Sequence, residues 1–329
     1  MKKLNLLLIA SVVAGAALLS SSCGSNKTKI GILQPVEHDA LSAARTGFMS
    51  ALAEKGYDET RVEFVYHNAG GKDAELTVMA KDLVSSCSMT LGIGTGASQV
   101  LKSTSVDKGL VKPVLFTAVT DPVDAGLVDS LENGKGFVTG TSDAQPIEAQ
   151  IDLIKECIPE ADKIGILYTQ SETNSVVQAN QAKSAIEAAG MSVVIKTATG
   201  PNDVSATALA LASESGIDAI YIPTDNNIAA NADAVKTAVS GKHILVVCGE
   251  EGMTKGCGGV TLSINYEELG KVTGRMAAEI LNGEKNAKDI PVGVMTKEDC
   301  NYVMSSSNLS DAGVTLPESV SSKCSELDK

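Results

Sequence analysis

One local unit recurs along the chain: a short β-branched run, a turn of small residues, then an amphipathic helix. Residues 29–33 read as a buried strand, and a helix follows from about Ala40 to Lys55. Within it Leu41, Ala44, Phe48, Ala51 and Leu52 recur at the 3.6 period, and Gly56 stops it. The same reading gives strands at 62–67, 89–93 and 113–117, with helices at 74–85 and 97–103. The cycle restarts at Lys163 with a strand at 163–168. It continues through helix 175–189, strand 192–197, helix 204–213, strand 219–223, helix 228–240 and strand 244–247. Strands alternating with helices of this length require right-handed βαβ units and parallel sheets covered on both faces. Two runs of the cycle predict an α/β chain of two Rossmann-like lobes, divided near Gly140 to Ser142.

The length of 329 residues supports two cores of ordinary domain size. A net charge of −13 argues against nucleic acid as a partner, because like charge repels phosphate. Tryptophan is absent, which excludes a site that stacks sugars on indoles.

The first 22 residues read as an address. Lys2 and Lys3 precede an almost wholly apolar run from Leu4 to Leu19, and Ser20, Ser21 and Ser22 lead into Cys23. The apolar run is short for a membrane span. The pattern resembles the bacterial lipobox, with Ser20 in place of the preferred leucine and Leu19 one position earlier. We therefore expect a lipoprotein signal peptide over 1–22, a palmitate-type lipid attachment at Cys23 and a tether over 23–28. The exported chain would then be anchored to the outer face of a bacterial membrane; the alternative is a plain secretory signal with an incidental cysteine. Six further cysteines leave disulfides open, Cys300 with Cys324 or Cys248 with Cys257 being the pairs considered. No CxxC occurs and the three histidines are scattered, so neither a metal nor a cofactor is expected.

Open α/β sheets bind ligands beyond the carboxyl ends of their strands. The segments in those places supply Gln34, Glu37 and His38; Thr95 and Ser98; and Thr117, Ala118, Thr120 and Asp121 from the first lobe. The second supplies Asn174 and Ser175, Asp225 and Asn226, and Glu250. Both lobes thus contribute hydrogen-bonding groups, as a cleft closing on a polar solute requires. Thr95 and Ser98, with Asn174 and Ser175, suit a carboxylate at a helix start or serve as simple caps. Asp225 suits an ammonium group or caps a helix, and Asp121 is a candidate ligand contact or a turn former. Phe116, Tyr66, Tyr168 and Tyr221 are available for ring contact or for core packing. Gly94 to Ser98 lacks the GxGxxG spacing of a dinucleotide turn. An enzyme is not expected. Glu250 and Glu251 are adjacent and so diverge, where a glycosidase needs two facing carboxyls, and no Ser–His–Asp set or metal cluster stands behind them.

Several stretches together resemble one family. They are Ile32-Leu33-Gln34 with Glu37 to Leu41; Leu115 to Pro122; Val138 to Asp143; Pro223 to Asn226; Gly249 to Met253; and Tyr266 to Gly270. In order, and over nearly all of residues 29–317, they are similar to the ABC transporter substrate-binding family that includes tryptophan and tyrosine binders. The resemblance implies a type I periplasmic-binding-protein fold whose lobes are joined by three crossover strands, the later crossings near Leu262 and Pro291. Lobe 1 would comprise 29–140 plus about 263–290, and lobe 2 would comprise 141–262 plus about 291–329. It further implies that the chain hands a small polar ligand, an amino acid of aromatic type, to ABC permease subunits; we expect a monomer. A ligand-sensing or adhesive surface lipoprotein with the same fold remains the alternative, with a secreted hydrolase behind it.

Overall fold

The computed structural model describes residues 27–328. The expected signal peptide, Cys23 and most of the tether lie outside them.

The first lobe runs β1 (Thr28–Gln34), α1 (Asp39–Glu54), β2 (Val62–Asn68), α2 (Asp73–Ser86), β3 (Met89–Ile93), α3 (Thr95–Asp107), β4 (Val114–Val119) and β5 (Val138–Ser142). The chain then enters the second lobe. It forms α4 (Ile147–Cys157), β6 (Lys163–Thr169), α5 (Thr173–Ala188), β7 (Ser192–Ala198), α6 (Val204–Ala212) and β8 (Ala219–Ile222). There follow α7 (Asn226–Ala229), α8 (Ala232–Val239), β9 (Leu245–Cys248), α9 (Glu251–Gly256) and β10 (Val260–Ile264). It returns to the first lobe as α10 (Tyr266–Leu281) and β11 (Gly293–Val294), and ends in the second with β12 (Cys300–Met304) and β13 (Ser325–Glu326).

The sheet orders are β11-β5-β4-β3-β1-β2 and β13-β12-β10-β9-β8-β6-β7. Every pairing is parallel except β10 with β12. Strands β3, β4, β5, β8, β9 and β10 are buried along their whole length, as strands of a parallel sheet covered on both faces must be. The edge strands β2 and β7 are partly open to solvent.

The two sheets hold the chain slightly longer at each crossing than the sequence suggests. Thr141 and Ser142 stay in the first sheet, where Thr141 Oγ1 donates to Thr117 Oγ1 at 2.9 Å. Ser263 and Ile264 stay in the second, paired with Asn301 and Cys300, and Gly293 and Val294 pair with Thr141 and Ser142. The helix expected over 228–240 is broken into α7 and α8, because Asn231 adopts a non-helical ψ and starts a new helix. Neither considered cysteine pair is bridged: all six described cysteines are free thiols, and those of Cys300 and Cys324 donate to the carbonyls of Thr296 and Val320.

Helix α10 is what ties the second crossing to the first lobe. Its buried stripe, Tyr266, Leu269, Gly270, Thr273, Gly274 and Ala277, follows the helical period and faces Ala44, Gly47, Phe48 and Ala51 of α1. A Cβ at Gly47 would lie deep inside the carbonyl of Glu267, and one at Gly270 inside that of Ala44. Only glycine permits this backbone-to-backbone approach.

Candidate functional site

The carboxyl ends of both sheets face each other across a cavity of about 330 Å³ between the lobes. Its first-lobe wall carries His38, Ala40 and Leu41 at the start of α1, Thr95 at the start of α3, and Ala118 and Thr120 at the end of β4. The second-lobe wall carries Asn174, Thr224, Asp225, Asn226, Ala229 and Glu250. The crossings themselves contribute Asp143 and Tyr266.

Local backbone chemistry aims these groups. Gly94, at φ +84°, turns the chain from β3 into α3 and brings Thr95 to the cavity. Ala118 holds φ +55°, a left-handed conformation that costs about 1 kcal/mol or more for a residue with a Cβ. It sits where the β4–β5 register shifts between Phe116 and Val119, so this bulge turns Ala118 and Thr120 toward the opposite lobe.

The lobes touch directly. The His38 Nε2 lies 3.1 Å from Asn226 Oδ1, and because that oxygen can only accept, Nε2 carries the proton. Gln178 Nε2 donates to Thr120 Oγ1 at 2.9 Å, and Lys255 reaches Asp39 at 3.6 Å. His38 Nδ1 is left buried with no partner, and burial pushes the imidazole's pKa down, so His38 is a neutral group.

Three buried carboxyl groups, Asp143, Asp225 and Glu250, line the cavity, and no lysine or arginine is among its described lining residues. Burial raises the pKa of all three, that of Glu250 to about 8. Glu250 accepts from the amides of Gly252 and Met253, each at 2.5 Å, and caps α9. Asp225 accepts from Thr169 N at 2.6 Å, Thr169 Oγ1 at 2.9 Å and Ile228 N at 2.9 Å, and caps α7. The cap that the sequence left open for Asp225 is therefore formed. Beside it Glu172 accepts from the amides of Asn226 and Asn227, and burial, then the charge of Asp225, raises its pKa. Asp143 differs: Oδ2 accepts from the Tyr266 hydroxyl at 2.7 Å, while Oδ1 is buried without a partner.

Of the residues singled out in the sequence, His38, Thr95, Ala118, Thr120, Asn174, Asp225, Asn226 and Glu250 meet at this cavity. The others stand behind it, because local bonds claim their side chains. Ser98 Oγ donates to the carbonyls of Gly92 and Gly94, and Ser175 Oγ to that of Thr224. Thr117 accepts from Thr141. Gln34 donates to Val36 O and accepts from Arg45. Glu37 lies on the outer surface, accepting from Arg45, Ser42, Tyr66 and Asn68; burial alone would raise its pKa, but the bonds from Arg45, Tyr66 and Ser42 outweigh that and hold it at about 2. Asp121 accepts from the amides of Val123 and Asp124 and borders a smaller space of about 190 Å³ beside Thr95 and Asn174. Phe116 and Tyr221 are core residues, Tyr168 packs against the second-lobe core, and Tyr66 lies under the Arg45 guanidinium at 4.2 Å. None of the four lines the cavity; its aromatic residue is Tyr266.

Sequence reasoning missed Asp143, Thr224 and Tyr266 as site residues. Each stands inside a stretch that carried the family resemblance, which was the signal available. A set of three or more metal-ligating side chains is absent among the described residues. No described helix is long and apolar enough to cross a membrane.

The model of the ABC transporter substrate binding protein family matches residues 29–327. A tyrosine-binding protein of Clostridioides difficile is 33% identical over 314 residues, which cover 91% of this chain and 89% of the relative. Among solved structures, the ABC domain in complex with L-Trp from Streptococcus pneumoniae is 32% identical with a TM-score of 0.84, over 91% of this chain and 99% of that one. A ligand-free, open substrate-binding protein with adhesive properties from Clostridium difficile is 35% identical over the same shares, yet its TM-score is 0.67. Similar identity with a poorer superposition on the open form agrees with the direct contacts between lobes found here: this is a closed arrangement. The chain belongs to the ABC transporter substrate-binding protein family, whose members are binding proteins and not enzymes.

Proposed function

We propose that this chain is the extracytoplasmic receptor of an ABC importer and captures a zwitterionic amino acid with an aromatic side chain between its lobes. The observation that carries this reading is the makeup of the cavity: three buried carboxyl groups, their pKa values raised by burial, with no lysine or arginine among the described lining residues to let them ionise. Such a site favours a ligand that brings its own cation, because a buried charge without a partner costs several kcal/mol. The ligand's carboxylate would then meet hydroxyls and amides, with Thr95, Thr120 and Asn174 at hand. The aromatic character rests on the relatives, one named as a tyrosine-binding protein and one solved with L-Trp.

An open form admits the solute, and contacts from both walls favour the closed form that the permease subunits recognise. A ligand touching one wall alone gains too little to hold the lobes together. Compaction of the chain by L-tryptophan or L-tyrosine in small-angle scattering is the test. An adhesive role has one observation in its favour, the adhesive properties of a relative that is 35% identical. It does not compete with ligand capture, since that relative is also a substrate-binding protein.

The anchor is part of the proposal. With Cys23 acylated after removal of residues 1–22, the chain stays on the outer face of the membrane. Cys23→Ala is expected to move it from the membrane pellet to the soluble exported fraction, and unchanged membrane association would refute the anchor.

A further inference from the structure

Among the three carboxyl groups of the cavity, hydrogen bonding separates one from the other two. Both oxygens of Asp225 and both of Glu250 already accept from the protein, and each side chain caps a helix. Their oxygens are committed to backbone amides and hydroxyls that no ligand needs to replace. Asp143 is 4% exposed, lines the cavity and has a free oxygen, Oδ1. A buried carboxylate oxygen with no donor is a costly arrangement unless something completes it.

The position of Asp143 adds a second reason. It directly follows β5, on the first crossing between lobes, and its Oδ2 is held by the hydroxyl of Tyr266, the first residue of α10 after the second crossing. Gln145 Nε2 donates to the same hydroxyl at 3.2 Å. The segments about which the lobes turn are thus bonded to one another through the side chain that faces the cavity.

We infer that Asp143 receives the ammonium group of the bound amino acid, and that the Asp143–Tyr266–Gln145 network makes this contact at the crossings between the lobes. The inference deepens the amino-acid reading above and rests on it. A ligand held here is held at the hinge, so charge neutralisation and lobe closure occur at one point. Asp225 and Glu250 then act as fixed acceptors that shape the second-lobe wall.

Calorimetry on the full exported chain tests this with two probes, L-tryptophan and its des-amino analogue 3-(indol-3-yl)propanoate, with L-tyrosine as a second amino acid. Asp143→Asn is expected to weaken L-tryptophan by about a hundredfold or more, because an amide cannot neutralise the ammonium. The analogue, which lacks that group, should change by less than about threefold. If Asp143→Asn does not fold, Asp143→Ser keeps a small hydroxyl beside Tyr266 and carries the same expectation. A folded variant that binds L-tryptophan normally, or that loses both probes in equal measure, overturns the assignment of Asp143 alone. Wild-type protein that binds neither amino acid overturns the amino-acid reading, and this assignment falls with it.

Discussion

Replacing Gly270 with valine is expected to lower the unfolding free energy by about 3 kcal/mol or more. Its α-carbon faces the carbonyl of Ala44 so closely that any Cβ would overlap backbone, and backbone cannot rotate away as a side chain can. Relief requires α10 to lift off α1, which exposes Phe48, Leu52, Leu269 and Ala277, all fully buried in the first-lobe core. Losing even half of that burial forfeits several kcal/mol at about 25 cal/mol per Å². Because α10 begins directly after β10, the displacement also reaches Tyr266 and the cavity. Urea unfolding measures the effect. Stability within about 0.5 kcal/mol of wild type would contradict the close packing of α1 on α10.

Acidifying the ligand-free protein from pH 8 to pH 5 is expected to draw the lobes together. In the closed form burial raises the Glu250 pKa to about 8, and opening the cleft would return part of that burial to solvent and lower it. The closed form therefore binds protons more tightly. Its advantage is fully present below pH 4.5 and is lost as pH rises toward 8. Burial shifts Asp143 and Asp225 in the same direction, and Glu172 follows through burial and its neighbour Asp225. His38 acts oppositely within this window, because closure against Asn226 buries its imidazole and lowers its pKa, so the carboxyl groups must outweigh it for acid to close the cleft. Glu250→Gln is neutral at every pH and still offers an oxygen to the cap of α9, so it should flatten the pH dependence and leave the ligand-free protein more closed at pH 8. The radius of gyration against pH, for wild type and variant, is the readout. An identical radius at pH 5 and pH 8 would remove the electrostatic account of why the empty cleft stays open.

Much of this organisation was legible in the sequence because apolar periodicity answers to local geometry. The fully buried strands β3, β4 and β9 read as short runs buried on both faces, and the stripe of α1 needs only the 3.6 period. The break between α7 and α8 was not, since nothing in the apolar pattern marks the backbone turn at Asn231. At the site, the rule that ligands lie beyond strand ends led to His38, Thr95, Thr120, Asn174, Asp225 and Glu250. It did not separate side chains free to face the cavity from those already spent. Ser98 and Ser175 look like Thr95 and Asn174 in sequence, yet their hydroxyls satisfy carbonyls of the turns that precede them. Asp143 and Tyr266 escaped for another reason. They are 123 residues apart and meet only because both crossings pass the same point, a tertiary fact that no local pattern encodes.

The central claim, that an amino acid fills the space between the lobes and holds them closed, is tested most directly by small-angle scattering at pH 8. The exported chain is measured alone and then with L-tryptophan or L-tyrosine at saturation. A two-lobed monomer whose radius of gyration falls on addition of either amino acid, toward the value calculated for the closed structure described here, is the predicted result. An unchanged radius at a concentration where calorimetry shows the site to be full would contradict it.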